Sequence, residues 1–290
     1  MISRIMAVKD LKRLRGGSQP HVMECSDGQY YVVKFQNNPQ GLRILANEML
    51  CTLLARELGL PVPGVAIVEV CGCLIHRSND LVILNRYGAT PCLPGLCFGS
   101  QHVDPSVLMK LDNAHKVVDM LSDELWSGVD NIPEFAGMMV LDKWTCNTDG
   151  RQVVFDRGPD RPNYHATMVD NGFCLNAAEW SFPDAPIRGL YSRRAVYRGV
   201  SGIDAFEPWL SRLEERVNPS ILMGVAESVP PEWYGNDTIA LLRLLRALDR
   251  RRQQVRGLIS STLHKYPEIF SRQKSEGDNR SVVAQIVEAP

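Results

Sequence analysis

The segment that decides the fold is residues 30–50, which read YYVVKFQNNPQGLRILANEML. Its first part, Tyr30–Phe35, is rich in β-branched and aromatic residues and predicts a strand. Apolar residues then recur at helical spacing until Gly59 ends the run, which predicts an amphipathic helix. Lys34 lies within the apolar strand, where a charge must be paired or face a polar cleft. Glu48 lies 14 positions later on the predicted helix and is the candidate partner.

Upstream of this segment the sequence predicts another strand and a glycine turn. His21–Cys25 is typical of a strand, and the residues at 26–28, Ser-Asp-Gly, are a hairpin signal before the next strand. Further upstream, Gly16, Gly17 and Ser18 form a turn. Its backbone N–H groups and hydroxyl could approach phosphate oxygens closely. Taken alone, such a turn is more often only a connection.

Downstream, the predicted elements change in character near Gln101. Three short stretches before this point are typical of strands: Val65–Val70, Leu81–Leu84 and Leu96–Phe98. The candidates after it are mostly helical: Val107–Trp126, Phe135–Trp144, 203–216 and 237–264. Within this second part, Gln152–Phe155 and Ala166–Val169 predict a hairpin.

This order predicts an α+β protein with two lobes. We expect a sheet-rich N-terminal lobe over residues 1–100, a mostly helical C-terminal lobe over 101–270 and a loose polar tail over 271–290.

Two aspartates bracket the predicted hairpin of the second part. Asp149 follows Asn147-Thr148, and Asp170 lies in Val-Asp-Asn-Gly at the end of the second strand. Carboxylates at the ends of a hairpin can face one site. Phosphoryl transfer needs one carboxylate to deprotonate the accepting hydroxyl and another to hold Mg²⁺ against the phosphates. Asp-Asn-Gly is equally a common turn signal.

Together these motifs resemble the HipA-like kinase family, and in particular its short, stand-alone branch. The similar motifs are Gly-Gly-Ser-Gln-Pro, Val-Val-Lys-Phe, Asn-Glu-Met-Leu with Leu-Gly-Leu-Pro-Val-Pro, Phe-Gly-Ser, Asp-Lys-Trp-Thr-Cys-Asn-Thr-Asp-Gly-Arg-Gln, Val-Asp-Asn-Gly and Pro-Pro-Glu-Trp. The resemblance runs from about Leu11 to about Tyr266. It implies the bilobal protein-kinase-like fold, ATP with Mg²⁺, and transfer of the γ-phosphoryl group to a Ser/Thr-type hydroxyl.

The same resemblance implies a role for each motif residue. Lys34 would grip the ATP phosphates, Glu48 would orient Lys34, and the turn at 16–18 would cover the nucleotide. Asp149 would be the catalytic base, and Asp170 would be the metal ligand. These roles are expectations carried over from the family pattern.

One position departs from the kinase pattern. Kinases of this superfamily usually carry an Asn metal ligand five residues after the catalytic Asp, and here that position is Val154. Valine cannot ligate Mg²⁺. Asn147 or Gln152 could substitute, or the site could use one metal ion.

Because of this departure, two alternatives stay open. One is a degenerate kinase fold that serves as a nucleotide-binding or protein-interaction module without phosphotransfer. The other keeps the catalytic residues but transfers a different group or uses a small-molecule acceptor. Retention of lysine, glutamate and both aspartates in kinase order favours an active enzyme.

The cysteines raise a competing interpretation. Cys71, Cys73, Cys92 and Cys97 lie within 27 residues and could in principle form a tetrahedral zinc site. However, Cys-x-Cys is tighter than the usual ligand spacing, and free cysteines commonly act as small hydrophobic residues. We therefore expect no zinc site, and we expect the eight cysteines to stay reduced.

Composition limits the possible partners and location. The 290 residues include 32 Lys+Arg and 33 Asp+Glu, a formal net charge of -1, so a dedicated nucleic-acid binder is not expected. The sequence contains no signal-peptide core and no apolar run long enough to span a membrane. We expect a cytoplasmic protein whose partners are ATP and an unknown protein or small-molecule acceptor.

Overall fold

A computed structural model describes residues 2–102, 116–158, 162–183 and 185–270. The strands are β1 (Ser3–Arg13), β2 (His21–Cys25), β3 (Tyr30–Lys34), β4 (Val65–Val70), β5 (Val82–Asn85), β6 (Gly88–Pro91), β7 (Gly95–Gln101), β8 (Lys116–Val118), β9 (Gln152–Arg157) and β10 (His165–Val169). The α-helices are α1 (Arg43–Glu57), α2 (Gly72–Arg77), α3 (Glu134–Thr145), α4 (Trp209–Ser211), α5 (Pro219–Ala226), α6 (Thr238–Arg252) and α7 (Val255–Lys265). Shorter 3-10 and π-helical turns connect them.

The N-terminal part is a closed five-stranded barrel. Its order is β1, β2, β3, β7, β4, and the parallel pair of β1 with β4 closes it. Side chains of a strand alternate between faces, and β3 uses both faces. Tyr31, Val33 and Phe35 enter the apolar core of the barrel, whereas Val32 and Lys34 face a cleft on the other side. The alternation therefore directs the lysine away from the barrel interior.

Helix α1 joins the barrel to the helical part of the molecule. Its residues from Ile44 to Ala55 are all buried, because the helix is covered on nearly every side. Its apolar side chains, among them Leu45 and Met49, belong to the large core of the C-terminal part and not to the barrel core. Because α1 is buried on all faces, its polar residue Glu48 lies between the barrel and the helical part.

The C-terminal part packs around helix α3, which is buried along its length. Trp144 at its end is fully buried and donates from Nε1 to the carbonyl of Leu248 on α6 at 2.9 Å. Beside these helices, β8, β9 and β10 form a three-stranded sheet in which β9 is central. The predicted hairpin at 152–169 is therefore observed, with β8 added at its edge.

Several features differ from the sequence-based expectations. The predicted helix at 203–216 is divided into 3-10, α-helical and π-helical turns. Strand β1 was not expected, because most of its residues are exposed and charged positions interrupt its alternation. The described part of the predicted helix Val107–Trp126 contains the strand β8 and a 3-10 turn at Asp123–Gly128. The predicted helix at 237–264 is divided into α6 and α7.

The remaining expectations concern the ends and the cysteines. The tail at 271–290 lies outside the described residues, and the lobe boundary near residue 100 stays a prediction. Cys71 and Cys73 form a disulfide, contrary to the expectation of reduced thiols, while the other six cysteines are free. The described residues contain no cluster of three or more His, Cys, Asp or Glu that could hold a metal ion. None of the described helices is long and apolar enough to cross a membrane.

Candidate active site

The candidate site is a cleft of about 550 Å³ between the barrel and the helical part. A cleft of this size suits a small-molecule ligand such as a nucleotide. The structure brings together in its wall seven residues that the sequence singles out: Gly16, Gly17, Ser18, Lys34, Glu48, Asp149 and Asp170. They come from the glycine turn, β3, α1, the loop after α3 and the end of β10.

Lys34 is the centre of a charged cluster in this wall. Its Nζ donates to Glu48 Oε1 and, at 3.0 Å, to Asp170 Oδ1. The side chains of Lys34 and Glu48 are 7% and 3% exposed, whereas that of Asp170 is 33% exposed. A lysine ammonium has three donors, and these two bonds occupy two of them. The third N–H and the open face of Asp170 leave the cluster able to contact a ligand.

The charges of the cluster support one another electrostatically. Burial disfavours a charged Lys34, but the carboxylates of Glu48 and Asp170 outweigh it and hold the pKa of Lys34 above its ordinary value. Burial raises the pKa of Glu48, and Lys34 opposes this effect. For Asp170, burial is outweighed by Lys34, so the pKa of Asp170 lies below its ordinary value. A positive charge and a carboxylate thus persist at the cleft at neutral pH.

Helix α1 holds the chain that follows Asp170. Glu48 Oε2 accepts from the backbone N–H of Asn171 at 2.9 Å, and Thr52 Oγ1 accepts from the Asn171 side chain at 2.9 Å. Asn47, fully buried, donates to the carbonyls of Gly172 at 2.8 Å, Cys174 at 3.0 Å and Ala177 at 2.8 Å. One face of α1 therefore fixes the segment that carries Asp170.

The backbone around Asp170 shows why a glycine follows it two positions on. Asp170 itself has φ +58°, a left-handed conformation that is unfavourable for most non-glycine residues. A Cβ added to Gly172 would lie 2.7 Å from Ile44 Cγ2 and 3.2 Å from Glu48 Oε1. Only a residue without a side chain allows this close approach of the segment to α1.

Asp149 lies on a tight loop after α3. The helix ends at Cys146, which has φ +51°, and Asn147 follows. The Asn147 amide donates to Asp142 at 3.0 Å, and its Oδ1 accepts from the Asp149 backbone N–H at 3.1 Å. Asp149 itself is exposed, so its carboxylate is accessible from the cleft.

The structure places Asn147, the second expected metal ligand, away from the cleft. It is 3% exposed and is not among the described residues that line the cleft. Because its side chain is engaged with Asp142 and the Asp149 backbone, it shapes the loop and does not face the ligand space.

Arg151 is buried and lies behind the cleft wall. It donates from Nε to Asp142 Oδ2 at 3.0 Å and from Nη2 to the other oxygen of Asp142. Its Nη1 donates to the carbonyl of Val169 and to Asn171 Oδ1, both at 3.0 Å. Arg151 is thus bound to a structural carboxylate and is not among the described residues that line the cleft. Arg151 ties the Asp149 loop to the Asp170 segment.

The departure at Val154 has a structural context that the sequence did not reveal. Strand β9 begins three residues after Asp149, so Gln152 and Val154 share the face that lines the cleft. Val154 pairs with Thr167 of β10, and the neighbouring apolar residue Met168 also lines the cleft. Gln152 is the polar residue next to Asp149, with its Nε2 3.4 Å from Asp149 Oδ2. Val154 therefore belongs to an apolar part of the wall.

Sequence reasoning missed three buried polar residues that build the site: Asn47, Asp142 and Thr52. Thr52 lies four positions after Glu48 on α1, on the same face of the helix, and that spacing was a usable signal once Glu48 was singled out. Asn47 directly precedes Glu48, and the local pattern does not show that it contacts the same segment. Asp142 gave a signal of the same kind as Lys34, because it is a charge within an apolar helix, but its partner Arg151 lies nine residues away and could not be identified from spacing.

Comparison with protein families identifies the family to which the chain belongs. The family described as HipA-like kinase matches residues 7–154, just over half of the chain. The chain belongs to the HipA-like kinase family. The matched range contains the glycine turn, Lys34, Glu48 and Asp149. Among curated protein sequences, none matches this HipA-like kinase significantly.

Solved structures confirm the protein-kinase-like fold of this chain. The proinflammatory kinase CtkA of Helicobacter pylori is 15% identical, with a TM-score of 0.56 over 92% of this chain and 99% of that chain. A Golgi casein kinase with Mn/ADP bound is 12% identical, with a TM-score of 0.52 over 91% and 74%. HipA of Shewanella oneidensis MR-1, solved with HipB and operator DNA, is 14% identical, with a TM-score of 0.51 over 80% and 60%. At these identities the similarity establishes the protein-kinase-like fold alone.

Proposed function

We propose that this protein is an ATP-dependent kinase that transfers the γ-phosphoryl group to a Ser/Thr-type hydroxyl with Mg²⁺. The observation that carries the proposal is the contact of Lys34 with both Glu48 and Asp170 in the wall of the cleft. A lysine on a strand that is paired with a helical glutamate is the arrangement kinases use to hold the α- and β-phosphates of ATP. The glycine turn at 16–18 borders the same space.

The donor chemistry of the cleft fits Mg²⁺. Protein sites usually bind this ion through one or two carboxylates together with substrate phosphates and waters. We propose Asp170 as the carboxylate ligand and Gln152, which lines the cleft where Asn147 does not, as an additional oxygen donor. When bound, Mg²⁺ neutralises negative charge on the phosphates.

Each remaining residue then has a defined task. The Lys34 ammonium binds phosphate oxygens through its free N–H, while Glu48 and Asp170 fix its position. Asp149 accepts the proton of the attacking hydroxyl. Its exposure at the edge of the cleft allows the acceptor to approach from solvent. Asn147 and Arg151 hold the loop that presents Asp149.

The alternative is a nucleotide-binding or protein-interaction module without phosphotransfer. One observation favours it: Val154 contributes an apolar side chain where kinases of this superfamily usually carry a metal ligand. The acceptor, whether a protein or a small molecule, and the cytoplasmic location stay predictions from the sequence.

The deciding experiment incubates purified protein with γ-labelled ATP and Mg²⁺ and follows both labelled product and ATP hydrolysis. Asp149→Asn is expected to lower transfer by roughly 10²- to 10⁴-fold, because it removes the base while leaving nucleotide contacts in place. Asp170→Asn is expected to abolish metal-dependent turnover. Asp80→Asn, which changes an exposed aspartate on the surface of the barrel part, is the matched control and should behave as wild type.

Nucleotide binding separates the two candidate functions. Saturable binding of ATP with neither transfer nor hydrolysis in the wild-type protein, even with added acceptor proteins, would favour the non-catalytic module. Transfer that is unchanged in Asp149→Asn would show that the base is assigned wrongly.

A further inference from the structure

The glycine turn is connected to a separate hairpin through Gln19, the residue that directly follows the turn. Gln19 Oε1 accepts from the backbone N–H of Leu84 at 2.8 Å, and Gln19 Nε2 donates to the carbonyl of Leu84 at 2.6 Å. Leu84 belongs to β5, which pairs only with β6 in the described sheets. One side chain thus satisfies both backbone groups of Leu84, as a neighbouring strand would.

The backbone conformation of the turn couples the orientation of the turn to the contact that Gln19 makes. Gly16 and Gln19 have φ +140° and +49°, and the Gln19 N–H donates to the Gly16 carbonyl at 3.1 Å. The N–H of Leu14 donates to the carbonyl of Pro20 at 2.8 Å and closes the base of the loop. Two glycines give this loop much conformational freedom, so a contact at its end restricts which way its N–H groups point.

The hairpin is itself anchored, so it can serve as a brace. At the β6 end of the hairpin, Asn37 likewise bonds to both a backbone carbonyl and a backbone N–H. Its Nδ2 donates to the carbonyl of Pro91 at 3.0 Å, and its Oδ1 accepts from the N–H of Leu93 at 3.0 Å. Asn37 follows β3 and is not among the described residues that line the cleft. One hairpin therefore has two amide contacts, of which only one is adjacent to the glycine turn.

We propose that Gln19 is a positioning residue that orients the Gly16–Ser18 turn over the phosphate end of a bound nucleotide, with the β5–β6 hairpin as its brace. The inference rests on the proposed function, because it assumes that this turn meets phosphates. A turn that is already oriented loses less conformational entropy on binding. Gln19 therefore contributes to the affinity for the phosphate chain and not to the affinity for the base.

The test compares Mg²⁺-ATP with adenosine by titration calorimetry on the full chain. Gln19→Met keeps the side-chain length and removes both hydrogen bonds. Asn37→Leu removes the two matching bonds at the other anchor of the same hairpin. Gln19→Met is expected to weaken ATP binding by roughly three- to tenfold, about the cost of ordering a flexible group on binding, and to leave adenosine binding unchanged. Thermal unfolding of both variants provides the measure of any general loss of stability.

The ratio of ATP affinity to adenosine affinity decides between the outcomes. A lower ratio in Gln19→Met, with a wild-type ratio in Asn37→Leu, supports the proposal even if both variants lose stability equally. An unchanged ratio in Gln19→Met, or an equal drop in both variants, overturns it. A wild-type protein that binds ATP no better than adenosine would instead contradict the proposed phosphate site, and the inference would fall with it.

Discussion

Two buried ion-pair clusters lie on either side of the cleft wall and differ in what they leave open. In one, Lys34 contacts Glu48 and Asp170, and the Asp170 side chain is 33% exposed. In the other, Arg151 contacts Asp142, and both side chains are 1% exposed. Burial opposes the charge of Arg151, but Asp142 outweighs it and raises the pKa of Arg151. Similar chemistry thus forms the proposed ligand site in one place and a structural contact in the other.

The difference comes from how completely the donors are used. Arg151 donates its N–H groups to Asp142, to the Val169 carbonyl and to Asn171, all within the protein. Among the described residues, Lys34 donates only to Glu48 and Asp170, which leaves a third N–H beside the open cleft. A closed cluster stabilises the fold, whereas an open one keeps binding capacity. Variants that break the Arg151–Asp142 cluster should therefore mainly lose stability, whereas variants that break the Lys34 cluster should mainly lose activity.

The largest effect on stability is expected for the closed cluster. Asp142→Ala leaves a buried guanidinium without its carboxylate and should lower the free energy of unfolding by about 3–5 kcal/mol. Urea denaturation measures this loss. The double variant Asp142→Leu with Arg151→Met replaces the pair by apolar side chains and should recover much of it. A single variant as stable as wild type would contradict a structural role for this pair.

Breaking the open cluster at Lys34 should reduce activity more than stability. Lys34→Met is expected to lower phosphotransfer by roughly 10²- to 10³-fold, because it removes a cation from the phosphate site. The loss of stability should be smaller than for Asp142→Ala, about 1–2 kcal/mol, since Asp170 is partly solvated and Glu48 keeps the Asn171 N–H. Parallel activity assays and urea denaturation compare the two. Equal destabilisation by both variants would remove the distinction.

A third variant tests the contact between α1 and the Asp170 segment. Gly172→Ala places a methyl group against Ile44 and Glu48 and should destabilise the protein by about 1–3 kcal/mol through overpacking. Because Glu48 orients Lys34, nucleotide affinity should fall as well. Gly150→Ala is the matched control, since its added Cβ would lie 3.8 Å from the nearest atom. Similar losses in both variants would show that the close approach at Gly172 is unimportant.

The smallest effect concerns pH. The pKa of Asp170 is depressed below its ordinary value of 3.8, so its stabilising contribution is present above that value and is lost as the pH falls through the native pKa. The raised pKa of Lys34 keeps its contribution below its ordinary value of 10.5. Neither group should therefore alter ATP affinity between about pH 6 and 9. Acid titration of stability should be shallower in Asp170→Asn than in wild type.

The candidate site could be predicted from sequence to the extent that its residues break a local pattern. Lys34 was detectable because a charge interrupts an apolar strand, and Asp170 because it ends one. Both lie in the cleft with Glu48 and Asp149. Asn147 and Gln152 could not be ranked as ligands, because their orientation depends on where β9 begins, and the spacing after Asp149 does not reveal that position.

Strands and helices were likewise predictable where their signals are local in the sequence. The predicted and observed boundaries of β2, β3 and α1 agree closely, because turn residues and glycines mark the ends of these segments. Helix α1 is not amphipathic as expected, since it is buried on all faces. β1 was missed because its residues are mostly exposed and charges interrupt its alternation, although its partner β2 is near in the chain. β8 was missed because its partner β9 lies far away in the chain. The change from α6 to α7 escaped notice because apolar residues continue at helical spacing across it.

By itself, the sequence indicated the two-part α+β order, the local patterns that carry it, and four of the charged residues that line the cleft: Lys34, Glu48, Asp149 and Asp170. These depend on local spacing and on the cost of burying an unpaired charge, both of which can be read along the chain. Only the tertiary structure decided that Arg151 is buried against Asp142, that Asn47 holds the segment after Asp170 and that Val154 belongs to an apolar wall. These are contacts between distant residues, and their geometry exists only once the barrel and the helices have packed together.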